Sequence, residues 1–189
     1  MGLFDSIMGR RKPTGPKLDA LFALPSAAIT LEVDLGFIPT GSGSVAFRAP
    51  EGRAFADLAT QVRELLDADS GPPVDVEQDA YGYTWVVVHT APPDVPAIVT
   101  DLHAVNSSLT DAGFGPQLLC SLVAFRNPEG RTLALIYLYK RGTFYPFAPL
   151  VGEDRDNVME LQVREALKAE LPLEDDLGRW FAVWGAPGL

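Results

Sequence analysis

The chain has 189 residues, a net charge of −10, 47% hydrophobic residues and one cysteine, Cys120. That length suits one domain, or two closely packed halves, with a sizeable core. The negative charge argues against a general nucleic-acid binder, and one cysteine excludes an internal disulfide and a cysteine-built zinc site.

The chain opens on a basic head, Met1-Gly2-Leu3-Phe4-Asp5-Ser6-Ile7-Met8-Gly9-Arg10-Arg11-Lys12. Residues 1–17 carry Arg10, Arg11, Lys12 and Lys17 against Asp5, a net +3, which leaves −13 on the remaining 172 residues. On a helix Leu3, Phe4, Ile7 and Met8 share one face, and the cations follow at once. Such a segment suits insertion into an anionic membrane interface, or contact with a partner. An arm packed on the body and a frayed terminus are the plainer alternatives. Pro13-Thr14-Gly15-Pro16 reads as a hinge behind it. The N-terminus shows no signal peptide, and no apolar run approaches the roughly 20 residues needed to span a bilayer. With the lone cysteine, this leads to the expectation of a cytoplasmic protein, peripheral at the membrane through its head.

In the first half Leu18–Leu24 is predicted helical and Pro25-Ser26 interrupts it. Ser26 then caps a second segment that Gly36 stops after Leu35. A short strand is expected around Ser44–Arg48. A helix over about 53–67 follows, with Phe55, Leu58, Ala59, Val62, Leu65 and Leu66 on one face. Val74–Gln78 and Tyr83–Thr90 form a hairpin around Gly82. In the second half Asp94 caps a helix with Pro96 in its first turn. It runs to Ala112 with Val95, Ile98, Val99, Leu102, Val105 and Leu109 as its buried stripe, and Gly113 ends it. Leu118–Arg126 is apolar enough for a central strand. Asn127-Pro128-Glu129-Gly130 turns it into Thr132–Tyr139, and Thr143–Phe147 is a candidate third strand. A helix at about 156–170 and a strand at Trp180–Trp184 close the chain.

The two halves repeat each other in sequence. Gly36-Phe37-Ile38-Pro39 and Val45-Ala46-Phe47-Arg48-Ala49-Pro50-Glu51-Gly52-Arg53 return as Gly113-Phe114-Gly115-Pro116 and Val123-Ala124-Phe125-Arg126-Asn127-Pro128-Glu129-Gly130-Arg131. Gln61-Val62-Arg63-Glu64 is echoed by Gln162-Val163-Arg164-Glu165. We therefore expect an α+β body, residues 18–189, of antiparallel sheet with packed helices. Its halves, about 18–90 and 95–184, would each run helix, strand, helix, strand. The second would carry an inserted hairpin, and Phe47, Phe125, Trp85 and Leu135 would share one continuous core.

Several strings carry a family resemblance. They are the opening Met-Gly-Leu-Phe-Asp-Ser-Ile, Leu18 to Ala28, Tyr81 to Val88, Val99 to Ser107, and Gly113-Phe114-Gly115-Pro116 with the strand after it. Over nearly its whole length the chain resembles the bacterial phage-shock-protein-A-associated proteins called PspAB. The resemblance implies a place beside the PspA envelope-stress system at the cytoplasmic membrane, with a protein partner from that system. It supplies no catalytic residues.

The motifs of chemistry are sparse. Two histidines, His89 and His103, stand without a His-Glu-x-x-His pattern, and no phosphate-binding loop or nucleophile elbow is present. Cys120 reads as a small buried hydrophobe. Glu174-Asp175-Asp176 lacks the spaced oxygens of a cation loop. Phe144, Tyr145 and Phe147, between Arg141 and Pro149, read as an edge strand over the core or as an exposed partner surface. The expectation is a non-enzymatic adaptor or regulator with neither cofactor nor metal. Its contacts would be a protein partner and anionic membrane. A secretion-chaperone-like α+β dimer that binds client segments is the alternative.

Overall fold

Six of the runs that read as strands pair with one another in one antiparallel sheet. The computed structural model describes residues 18–49, 55–68 and 73–189. The basic head, with Leu3, Phe4, Ile7, Met8, Arg10, Arg11 and Lys12, lies outside them. The strands are β1 (Ile38–Arg48), β2 (Asp75–Gln78), β3 (Tyr83–His89), β4 (Leu118–Arg126), β5 (Thr132–Leu138) and β6 (Thr143–Phe147). Across the sheet they run β2-β3-β1-β4-β5-β6, every neighbour antiparallel. A two-stranded ribbon joins β7 (Pro149–Leu150) to β8 (Asp154–Arg155).

Among the described residues the α-helices are α1 (Leu24–Leu35), α2 (Phe55–Ala68), α3 (Val95–Leu109) and α4 (Asn157–Leu167). All send apolar side chains into one core with Val45, Phe47, Val86, Val123, Phe125 and Leu135. The expected stripe of α3 is buried throughout. Its cap is as read: the Asp94 carboxylate accepts the Ala97 amide at 3.0 Å. Asp156 caps α4 in the same way through Met159. The fold is α+β.

Five expectations need correction. Pro25 does not interrupt a helix. A 3₁₀ turn at Leu18–Ala23 passes into α1, and Pro25 sits in the first turn, where no N–H is required of it. Ser26 is therefore not the cap; Ala23 holds that position without a side-chain bond. Strand β1 has eleven residues, not five, because Ile38–Gly43 pairs despite its loop-like composition. There Gly43 is a packing device. A Cβ at that position would lie 2.5 Å from Ile98 Cγ2, so its absence lets α3 settle onto the sheet. Trp180–Trp184 forms no strand. Finally, the sheet has two cores. Trp85 belongs to the opposite face from Phe47, Phe125 and Leu135, because adjacent residues in a strand point to opposite sides.

The repeated strings meet at the sheet centre. Each half presents a helix, a left-handed glycine (Gly36 at φ 69°, Gly113 at φ 91°), a buried phenylalanine (Phe37, Phe114) and a central strand. After the Pro-Glu-Gly-Arg strings the halves diverge. The first continues through α2 to β2 and β3, whereas the second turns directly into β5 and β6. The hairpin expected as an insertion thus fills, beside β4, the sheet positions that β3 and β2 fill beside β1.

Candidate functional site

Among the described residues the α-helices cover one face of the sheet. The other is crossed by residues 177–189, a strap of extended chain and short turns. Its hold on the sheet comes from side chains. The Tyr145 hydroxyl donates to Phe181 O at 2.9 Å, and Arg155 Nη1 donates to Trp180 O at 2.5 Å. Trp180 Nε1 donates to Glu174 O at 3.1 Å. Trp180 also stacks on Tyr145, and Trp184 meets Phe147 edge-on at 4.9 Å between ring centroids.

This settles the aromatic segment. Phe144 and Phe147 are fully buried and Tyr145 is 1% exposed, so these three do not form an exposed partner surface. Phe144 faces the helical core, and Tyr145 and Phe147 lie under the strap. Their strand is the sheet edge, yet residues 172–174 cover it: the Phe144 amide donates to Pro172 O and the Glu174 amide to Phe144 O. Glu174 is buried and belongs to this cover. Its carboxylate accepts from Arg141, from the Thr143 hydroxyl at 2.8 Å and from the Asp176 amide. Burial pushes its acidity constant up, but these bonds outweigh burial and hold it below the ordinary 4.5.

Between the strap and the strands lies a groove of about 1030 Å³. The register explains its floor. Trp85, Ala46, Cys120 and Leu138 are successive Cα partners across β3, β1, β4 and β5, so one row of side chains crosses the sheet. Ala46 and Cys120 are small, stand at the middle of that row and are buried. Burial pushes the Cys120 thiol up to about 12, so it is neutral at physiological pH. Trp85 Nε1 donates to Asp79 Oδ2 at 2.8 Å.

One step toward the same end of the strands, roughly 7 Å away, the lining becomes cationic. Arg48 faces Tyr83 there, its guanidinium 5.7 Å from the ring centre. Lys140 follows β5 and donates to Pro116 O at 3.0 Å. Arg141 and Arg179 complete the rim, each paired with a carboxylate of its own, Glu174 and Asp176. Among the described residues Arg48 and Lys140 form no ion pair.

A second feature lies on the helical side. Ile29 and Val33 stand one turn apart on α1 and are 65% and 76% exposed, and Phe22, in the 3₁₀ turn before α1, is 51% exposed. Packed beside α1, α4 adds exposed Val158 and Leu161. Neither the groove nor this patch was found from sequence. Hydrophobicity marks Ala46, Trp85, Ile29 and Val33 as apolar without telling which layer, if any, covers them. His89 is exposed, 3.7 Å from Asp75, and His103 packs on Phe22. Among the described residues no three His, Cys, Asp or Glu side chains are grouped to hold a metal, and no helix is long and apolar enough to cross a membrane.

No curated protein and no solved structure matches this chain. The family model PspAB, PspA associated protein B, matches residues 1–188. With nearly the whole chain inside that match, the protein belongs to the PspAB family of PspA-associated proteins.

Proposed function

We propose that the protein is a non-enzymatic adaptor or regulator in the bacterial membrane-stress response built around PspA. In this reading its body binds a protein partner of that system. Its basic head brings the assembly to the inner face of the cytoplasmic membrane. The observation that carries the proposal is the family match over residues 1–188, since association with PspA is the family's own description. Exposed Ile29 and Val33 on α1, with Phe22 exposed just before it, support it, because an exposed apolar patch on a helix suits the apolar face of a partner helix. The head supports it through its four apolar residues followed by three cations. We also read the body as an internal duplication, supported by the recurring strings and by their meeting in adjacent central strands.

Co-purification with PspA from membrane-stressed cells tests the proposal. The full chain should retain PspA, and Ile29→Asp with Val33→Asp should lose it without changing the melting temperature. Failure of the unaltered chain to hold PspA sinks the adaptor reading. If the same two substitutions instead dissolve a homodimer, the chaperone-like alternative takes its place.

A further inference from the structure

We infer that the groove between the strap and the sheet is a binding site for a single-chain amphiphile with an anionic head, such as a long-chain carboxylate. This goes beyond the adaptor reading and does not depend on the partner.

Shape and size come first. A volume of about 1030 Å³ is at the upper end of small-molecule sites, and its lining includes the small Ala46 and Cys120 between two larger residues, Trp85 and Leu138. The fold itself shows what such a floor accepts. Ala124, which holds in the second repeat the place of Ala46 in the first, lies under the end of the strap. A Cβ on Gly188 would lie only 3.2 Å from it. Ala124 is thus covered by the chain's own apolar segment, while Ala46, itself 2% exposed, lies at the floor of the groove.

Polarity separates an acyl chain from a peptide. A peptide laid in the groove would bring backbone N–H and C=O groups that must find partners. The strap meets that demand with the Tyr145 hydroxyl and Arg155, so both donors are already used. Beneath the groove, β3, β1, β4 and β5 have neighbours on both sides, and the Trp85 N–H is committed to Asp79. The row Trp85–Ala46–Cys120–Leu138 therefore suits an occupant with no polar groups along its length.

Charge then fixes the head. On a protein of net charge −10, this groove is lined by Arg48 and Lys140, by Arg141 and Arg179, each already paired with a carboxylate, and by Asp79. The Asp79 carboxylate already accepts from Trp85 and from the Tyr81 and Tyr83 amides. Arg48 and Lys140, exposed and free of carboxylate partners among the described residues, flank the end of the apolar row. An apolar channel with cations at one end matches a chain with one anionic head.

The test uses the full-length purified protein and sodium dodecanoate below its micellar concentration. All three tryptophans, Trp85, Trp180 and Trp184, belong to this face, so intrinsic fluorescence reads the groove directly. Saturable one-to-one binding is expected by fluorescence and calorimetry. Dodecanol should bind about tenfold more weakly, and dodecyltrimethylammonium more weakly still. Arg48→Glu and Lys140→Glu alter exposed side chains and should each lower dodecanoate affinity about tenfold with unchanged circular dichroism. Ala46→Phe should remove binding by filling the floor. Absence of saturable binding overturns the proposal. So do equal affinities for the three amphiphiles, or rim variants that bind as well as the unaltered chain. If dodecanoate does not bind while Ala46→Phe releases PspA or breaks a dimer, the groove is a protein-docking surface and the proposal is likewise overturned.

Discussion

Ser44 and Leu122 face each other across the two central strands, and the two copies of Val-Ala-Phe-Arg run away from them in opposite directions. The pairs on either side, Val45 with Ser121 and Gly43 with Val123, exchange under the same relation. Because side chains alternate along a strand, Val45, Phe47, Val123 and Phe125 all point beneath the helices, while Ala46 and Ala124 point to the strap side. A recurrence of four letters thus places matching residues on both faces of the sheet.

Phe125 is fully buried in the helical core. Phe125→Ala should destabilise the protein by about 3–5 kcal/mol, the usual cost of removing a buried aromatic ring. Denaturant titration measures it through the midpoint at constant slope. A loss near zero would be incompatible with a central β4.

Gly43→Ala should be destabilising by about 1–3 kcal/mol, since the new methyl group meets Ile98 and cannot be accommodated without moving α3. The companion variant Gly43→Ala with Ile98→Ala should lose less than the two single changes added together. Additive losses would show that the glycine serves backbone geometry instead of helix approach.

Acid should loosen the cover of β6. Hydrogen bonds from Arg141, Thr143 and the Asp176 amide outweigh burial and lower the Glu174 acidity constant from its ordinary 4.5. A carboxylate held low in the folded state stabilises it above the unfolded value. That contribution disappears as the pH falls through the folded value. Stability measured by urea titration should therefore drop as the pH is lowered below about 4.5, and Glu174→Gln should be less stable at pH 7 yet lose less on acidification. Parallel pH profiles for the two proteins would contradict this role for Glu174.

The head should carry any membrane contact, since the rest of the chain is strongly acidic. Cosedimentation should be strong with anionic liposomes, weak with neutral ones and reduced by salt, each cation contributing about 1 kcal/mol near such a surface. Phe4→Asp, or removal of residues 1–16, should abolish it. Equal sedimentation of intact and headless chains would leave the head without this role.

The elements of this protein were legible where local chemistry is decisive. Asp94 and Pro96 announce α3 because a cap and a first-turn proline act within one turn, and Gly113 ends the segment because its φ of 91° suits glycine. Apolar Leu118–Arg126 announces a central strand because only burial on both faces makes such a run stable. The recurring strings were likewise plain, being a property of the letters alone.

The tertiary structure decided what depends on the far end of the chain. Ile38–Gly43 became strand because β4 supplies its hydrogen bonds and α3 needs the space of Gly43, neither of which is encoded nearby. Trp180–Trp184 has the composition of a strand, but the sheet edge beside β6 is already taken by residues 172–174, so this segment crosses the sheet face instead. The groove is the clearest case. Its floor comes from four strands, through Trp85, Ala46, Cys120 and Leu138, and the end of the strap closes the face over Ala124 while the groove lies beside Ala46. Hydrophobicity is a property of each residue, but exposure is a property of what lies above it, and that is settled only when distant segments compete for the same surface.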